Sequence, residues 1–188
     1  MIRIVEVGPR DGLQNEKKTL DIETRLEFVT KLVDAGLKSI EIGAFVSAEK
    51  IPQMAMSKEL VQKINLKYIK NKKLNFPVLV PNERGMKDAL EVGVKEVSIF
   101  AACTEGFSKA NINCSIAESF ERFKPVLELA NKNKVKVRGY LSTAFYCPYD
   151  GKTKPQKVVE LTKKLLSLGC YEVSIGDTIG HATPGEVA

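Results

Sequence analysis

The sequence predicts an α/β fold in which a parallel sheet is covered by helices, and three observations carry that expectation. Short β-branched runs alternate with helical runs from one end of the chain to the other. The strand candidates are apolar on both faces, as in sheets covered on both sides. Repeats of roughly 20 to 40 residues separate successive strands, long enough for a crossover helix each time. Six βα units are expected within the 188 residues. On this pattern a closed barrel and an open doubly wound sheet are not separable.

The first strand is expected over Ile2 to Val7, ended by Gly8 and Pro9, with Arg10, Asp11, Gln14, Asn15 and Glu16 following at once. The helix after it has Asp21 as N-cap, an apolar face of Ile22, Leu26, Val29, Leu32 and Val33, and Gly36 as its stop. SIEIGAF forms the second strand and carries Glu41; a helix from about Lys58 to Ile64 follows. LNFPVLVP is the third strand, and a helix from about Gly85 to Val92 stops at Gly93. EVSIF is the fourth strand, followed by AACTEGFSKANIN as a long loop. Ser115 and Glu118 then form a capping box for a helix reaching about Asn131, with Pro125 predicting a kink or a late start. VKVRGYLSTAF is the fifth strand, a helix opens at Pro155 and closes at Gly169, and YEVSIGDT is the sixth strand.

Composition is that of an ordinary globular chain, 44% hydrophobic and 28% charged, long enough for one sizeable core. The apolar runs are strand-sized and broken by charge, and the N-terminus reads as a strand, so a soluble cytoplasmic protein without membrane association is expected. Cys103, Cys114, Cys147 and Cys170 are too scattered for a zinc cage and are expected to be free thiols, mostly packing residues. The net charge of +6 is spread over helical segments; its one dense run, NLKYIKNKKLN, reads as a solvated helix end and loop. No nucleic-acid partner is expected, while a phosphate-bearing cofactor suits the positive balance.

The polar residues fall in a pattern. Arg10 and Asp11 follow the first strand, Glu41 sits on the second, Asn111 and Asn113 follow the fourth, Arg138 and Tyr140 are on the fifth, and Asp177 ends the sixth. Strand C-termini are where parallel α/β proteins keep their chemistry. A buried Asp beside an Arg can hold a divalent metal while the guanidinium faces a substrate oxygen. A surface ion pair in a turn is the alternative reading of the same two residues. Glu41 and Arg138 lie inside apolar strands and need partners, which a shared metal-centred site or a purely structural network would supply.

Five segments in order, EVGPRDGLQNE, AFVSAEKIPQM, NINCSIAESF, VRGYLSTAFYCPYDGK and GCYEVSIGDTIGHATPG, resemble the 3-hydroxy-3-methylglutaryl-coenzyme A lyase family. Related metal-dependent acyl-CoA aldolases and synthases share the RDG, but the LQNE continuation and the GDTIG-then-TPG ending are closer to the lyases. The resemblance implies a TIM-type (β/α)8 barrel that splits hydroxymethylglutaryl-CoA into acetoacetate and acetyl-CoA with Mg2+ or Mn2+, a step of leucine degradation. It implies Asp11 as a metal ligand and Arg10 as the cation beside the enolate oxygen. Glu41 and Asp177 would be carboxylates supporting the metal and proton transfer. Gln14, Asn111 and Tyr140 would lie at the acyl-CoA substrate, with Arg138 nearby as a structural or electrostatic support.

Two departures stand out against that family. Ala44 takes the place of a usual Ser. The His-x-His pair, the Asn and the Cys that the family draws from its last two βα units have no counterpart, and the single histidine, His181, reads as a loop residue. Residues 1–188 are therefore expected to be one incomplete barrel domain with little or no turnover alone. It would be completed by a separate C-terminal chain or work as a homo-oligomer. The alternative from another class is a non-catalytic remnant or interaction module of the same fold. None of the four cysteines is the expected catalytic thiol.

Overall fold

The computed structural model describes residues 2–188, which divide into two compact units, one running up to Val97 and including Asn133–Val135, the other Ser98–Lys132 with Lys136–Ala188. In the first unit a π-helical turn, Gly8–Gly12, precedes α1 (Ile22–Asp34), β1 (Gly43–Ala44), a 3-10 turn (Pro52–Met54), α2 (Ser57–Lys67), β2 (Val78–Leu79) and α3 (Glu83–Glu91). β3 (Glu96–Ala102) contributes its first two residues to this unit. The second unit holds the rest of β3, α4 (Glu105–Ile112), α5 (Ile116–Lys132), β4 (Lys136–Ser142), β5 (Tyr146–Cys147), β6 (Gly151–Lys152), α6 (Pro155–Ser167), β7 (Glu172–Ile175) and α7 (Pro184–Val187).

β1–β2 and β4–β7 pair in parallel, and β5–β6 is an antiparallel hairpin. β1 lies on β2 with Gly43 opposite Val78, and β4 lies on β7 with Arg138 opposite Glu172. The first three expected strands are shorter than the sequence suggests. Ile2 to Val7 is reduced to a parallel bridge between Glu6 and Ile40, in which Glu6 N donates to Ser39 O and Glu41 N to Glu6 O. Along 39–45 the amides of Ile40, Ile42 and Phe45 still donate to Asn75, Pro77 and Leu79. Pro77 has no N–H to return, so the ladder narrows to two residue pairs.

The helices start where their caps allow. Asp21 accepts the Thr24 amide at 2.7 Å and Asn82 the Gly85 amide at 3.0 Å. The expected capping box is formed, with the Ser115 amide 2.7 Å from a Glu118 oxygen and the Glu118 amide 3.2 Å from Ser115 Oγ. α5 runs through Pro125, starting early rather than late. The segment expected as a loop after the fourth strand is instead the end of β3 and the helix α4, so Asn111 is a helical residue and Asn113 its left-handed cap.

Each unit has its own core. Ile40, Ile42, Leu60, Ile64 and Met86 are fully buried in the first, and Ile99, Phe120, Leu141, Leu161 and Leu165 are buried in the second. Burying each of these side chains is worth about 1.5–3 kcal/mol. Gly139 lets α6 close onto β4: a Cβ there would stand 3.1 Å from Leu165 Cδ1.

Candidate active site

In the first unit the turn after the first strand-like segment folds back so that Pro9 and Arg10 are buried. Val7 carbonyl oxygen accepts the Arg10 and Asp11 amides at 3.0 and 2.7 Å, fixing the tight turn that presents both side chains. The Arg10 guanidinium donates through Nε to the Glu41 carboxylate, and its Nη1 lies 2.6 Å from Asp11 Oδ1. Glu41 is wholly buried and Arg10 is 8% exposed, whereas the Asp11 carboxylate is 56% exposed. Glu41 thus has its partner in Arg10, one reason a charge inside an apolar segment just before β1 is tolerated. Asp11 is open to solvent rather than buried. Asn15 Nδ2 donates to the Asp11 carbonyl at 2.9 Å, and half-buried Gln14 has a buried Oε1 with no hydrogen-bond partner among the described residues.

In the second unit Arg138 finds its partner in Glu172, 2.6 Å from Nε, across the β4–β7 register. The Arg138 guanidinium also lies 5.0 Å from the centre of the Tyr140 ring and donates from Nη1 to its hydroxyl at 3.2 Å. Neither Glu41 nor Arg138 needs a shared metal centre, because two separate ion pairs supply both. Arg138 stands early in β4 and Glu172 at the start of β7, away from the strand C-termini. Asn111 is exposed near the end of α4. Asp177 follows β7 and accepts the amides of His181 and Ala182 at 3.0 and 2.9 Å. His181 is in that loop, as expected, stacked on Tyr146 with ring centres 4.3 Å apart.

Among the described residues no three His, Cys, Asp or Glu side chains gather to hold a metal. Asp11 is one carboxylate, with one oxygen already on Arg10, whereas Mg2+ takes about six oxygen or nitrogen ligands. The residues described here do not make a complete cation site.

Two features escaped the sequence. Arg25 is buried in α1, donating to Ala55 O at 2.6 Å and reaching Ile42 O and Ser57 Oγ at 3.4 Å; burial lowers its pKa. Cys147, expected only to pack, has a sulfur that accepts Thr104 Oγ1 at 3.0 Å and the amides of Tyr149 and Asp150 at 3.4 Å. A charged residue on an otherwise apolar helical face was the available signal for Arg25; the sulfur's partners come from loops and carry none.

The whole chain, residues 1–188, matches the HMGL-like family model. It is 50% identical over 184 residues to the mitochondrial hydroxymethylglutaryl-CoA lyase of Pongo abelii, covering 98% of this chain and 55% of that protein. The crystal structure of hydroxymethylglutaryl-CoA lyase from Pseudomonas aeruginosa matches at a TM-score of 0.93 and 50% identity, over 98% of this chain and 60% of that one. An HMG-CoA lyase from Acinetobacter baumannii, solved with coenzyme A and 3-methylmalate, matches at a TM-score of 0.91 and 29% identity, over 100% of this chain and 60% of that one. The chain thus spans under two thirds of the length of these relatives. The parallel strands and covering helices, the clamped Arg10 and the end-to-end match place this chain in the HMGL-like family.

Proposed function

We propose that this chain serves a carbon–carbon lyase that splits 3-hydroxy-3-methylglutaryl-CoA into acetoacetate and acetyl-CoA, a reaction of leucine breakdown. The observation that carries the reading is Arg10, aimed by Glu41 on one side and Asp11 on the other. In such a cleavage the tertiary alcohol gives up its proton, the carbon–carbon bond breaks, and its electron pair moves onto the thioester carbonyl as an enolate. A guanidinium held by two carboxylates is ordered before the charge appears, so its attraction to the enolate oxygen costs little reorganisation. Glu41 positions Arg10; Asp11, exposed beside it, is the assigned contact to a divalent cation, Mg2+ or Mn2+, as one ligand of an incomplete set.

In the second unit Tyr140, Asn111 and Asp177 are assigned to substrate handling and proton transfer, Arg138 acting through the Tyr140 hydroxyl; Gln14, with its unpartnered oxygen, is the first unit's further substrate contact. Acyl-CoA is the assigned substrate class. The remaining cation ligands would come from further residues of the same barrel domain, from a complementing chain or from a second copy. A reducing compartment such as the cytosol is supported by four buried cysteines that are all free thiols. No described helix is long and apolar enough to cross a membrane.

The test is acetyl-CoA release from 3-hydroxy-3-methylglutaryl-CoA by the protein as made in its own cells, with Mg2+ or Mn2+ added. Turnover that falls at least ~100-fold in Arg10→Gln and in Asp11→Ala is expected. Turnover untouched by either substitution overturns the assignment.

A further inference from the structure

We infer that Cys147 and Asp150 are positioning residues. The β5–β6 hairpin that holds them is a two-sided clamp ordering both the helix that carries Asn111 and the loop that carries Asp177. The assignment of those two residues to substrate rests on the proposed function; the clamp itself does not.

The hairpin cannot hold its own shape. It has two rungs, Tyr146 opposite Lys152 and Cys147 opposite Gly151, and so short a ribbon is marginal in water. What fixes it are contacts on its two flanks. Toward α4, Asp150 Oδ2 accepts the Gly106 amide at 2.8 Å and Thr104 Oγ1 lies 3.0 Å from Cys147 Sγ. The rings of Phe107 and Tyr149 meet with centres 6.4 Å apart. Gly106 admits this approach because a Cβ there would stand 2.6 Å from either Asp150 oxygen. Toward the loop after β7, Tyr146 stacks on His181 at 4.3 Å, and Lys152 Nζ lies 2.9 Å from Glu186 Oε1.

Cys147 joins the two flanks. Its buried sulfur collects Thr104 from one side and the hairpin's own Tyr149 and Asp150 amides from the other, so the turn and the start of α4 share one acceptor. Asp177 spends its carboxylate on the His181 and Ala182 amides, so the loop that the hairpin stacks against is also the loop that sets the Asp177 carboxylate. Because the hairpin depends on both flanks, releasing one loosens the other.

Amide hydrogen exchange on the 188-residue chain tests this. Asp150→Ala is expected to speed exchange at least ~10-fold in residues 104–112 and also in 177–183, and Tyr146→Ala to do the same from the other flank. Gly106→Ala, which crowds the Asp150 carboxylate while leaving every residue of the hairpin unchanged, is the second route to the same result if Asp150→Ala folds poorly. Cys147→Ser, whose hydroxyl accepts the same donors, is expected to stay within ~3-fold of the parent where Cys147→Ala does not. Loosening confined to the mutated flank, a uniform rise that includes α1, or a serine as disruptive as an alanine overturns the clamp. Failure of the parent chain to bind 3-hydroxy-3-methylglutaryl-CoA by calorimetry would instead count against the proposed function, leaving the exchange result to decide the clamp.

Discussion

Arg10 and Glu41 form a buried ion pair across 31 residues of sequence, and the backbone sets its geometry: the Glu41 amide is tied to the Glu6 carbonyl at 2.8 Å, two residues before the turn that delivers Arg10. A carboxylate with no exposure cannot exchange its partner for water. Breaking the pair is therefore far costlier than replacing it.

Arg10→Met leaves the Glu41 charge buried and is expected to destabilise the chain by about 3–5 kcal/mol. Combining it with Glu41→Leu removes the stranded charge and should recover most of that loss. Urea denaturation of both single variants and the double variant checks this. Additive losses would show that the two side chains are not coupled.

Cys103 and Cys170 should be inert in the folded protein. Burial pushes the Cys103 thiol up to about 12 and the Cys170 thiol up to about 11, so neither carries appreciable thiolate near neutral pH. At pH 8 a thiol-specific disulfide reagent should leave both unmodified in buffer and label both in strong denaturant. Mass spectrometry of the digested protein locates the label, and prompt labelling of either residue in buffer would contradict their burial.

Glu186 ties the last helical turn to the hairpin. Its hydrogen bond from Lys152, followed by those from the Thr183 amide and hydroxyl, holds its carboxyl down at about 2 against an ordinary 4.5. A depressed carboxylate stabilises where it is ionised in both states, so this contribution is complete above pH 4.5 and is lost as pH falls toward 2. NMR chemical shifts of the Glu186 side chain and the Thr183 amide should titrate together near the low value. The Lys152→Met variant should titrate higher.

How much of this was legible beforehand differs between elements. Helices whose boundaries rest on local capping chemistry came out within a few residues, because Asp21 with Thr24 and Ser115 with Glu118 need nothing from the rest of the chain. Strand lengths did not, because Pro77 shortens the ladder only once residues 39–45 have been laid beside it. α4 was missed because EGFSKANI has weak amphipathicity and its start is fixed from outside, by Thr104 on Cys147 and Gly106 on Asp150. Arg10 and Asp11 were visible together as neighbours, but the partner of Arg138 lies 34 positions away on β7 and no local spacing signals it.

Gly43 offers a last, sharper check on how tightly the segment carrying Glu41 is held. A Cβ at this position would stand 2.7 Å from Ser57 Oγ and 3.3 Å from Arg25 Nη2. Neither neighbour is free to retreat: Ser57 Oγ donates to Met54 O at 2.7 Å, and Arg25 is anchored on Ala55 O at 2.6 Å. Gly43→Ala should therefore destabilise the chain by about 1–3 kcal/mol through overpacking. If the clash is the cause, Ser57→Gly in the same chain should return part of the loss, so that the double variant is more stable than the sum of the singles predicts. Thermal unfolding of the four proteins decides it. Strict additivity would place the cost of Gly43→Ala in the backbone instead, independent of the serine it would strike.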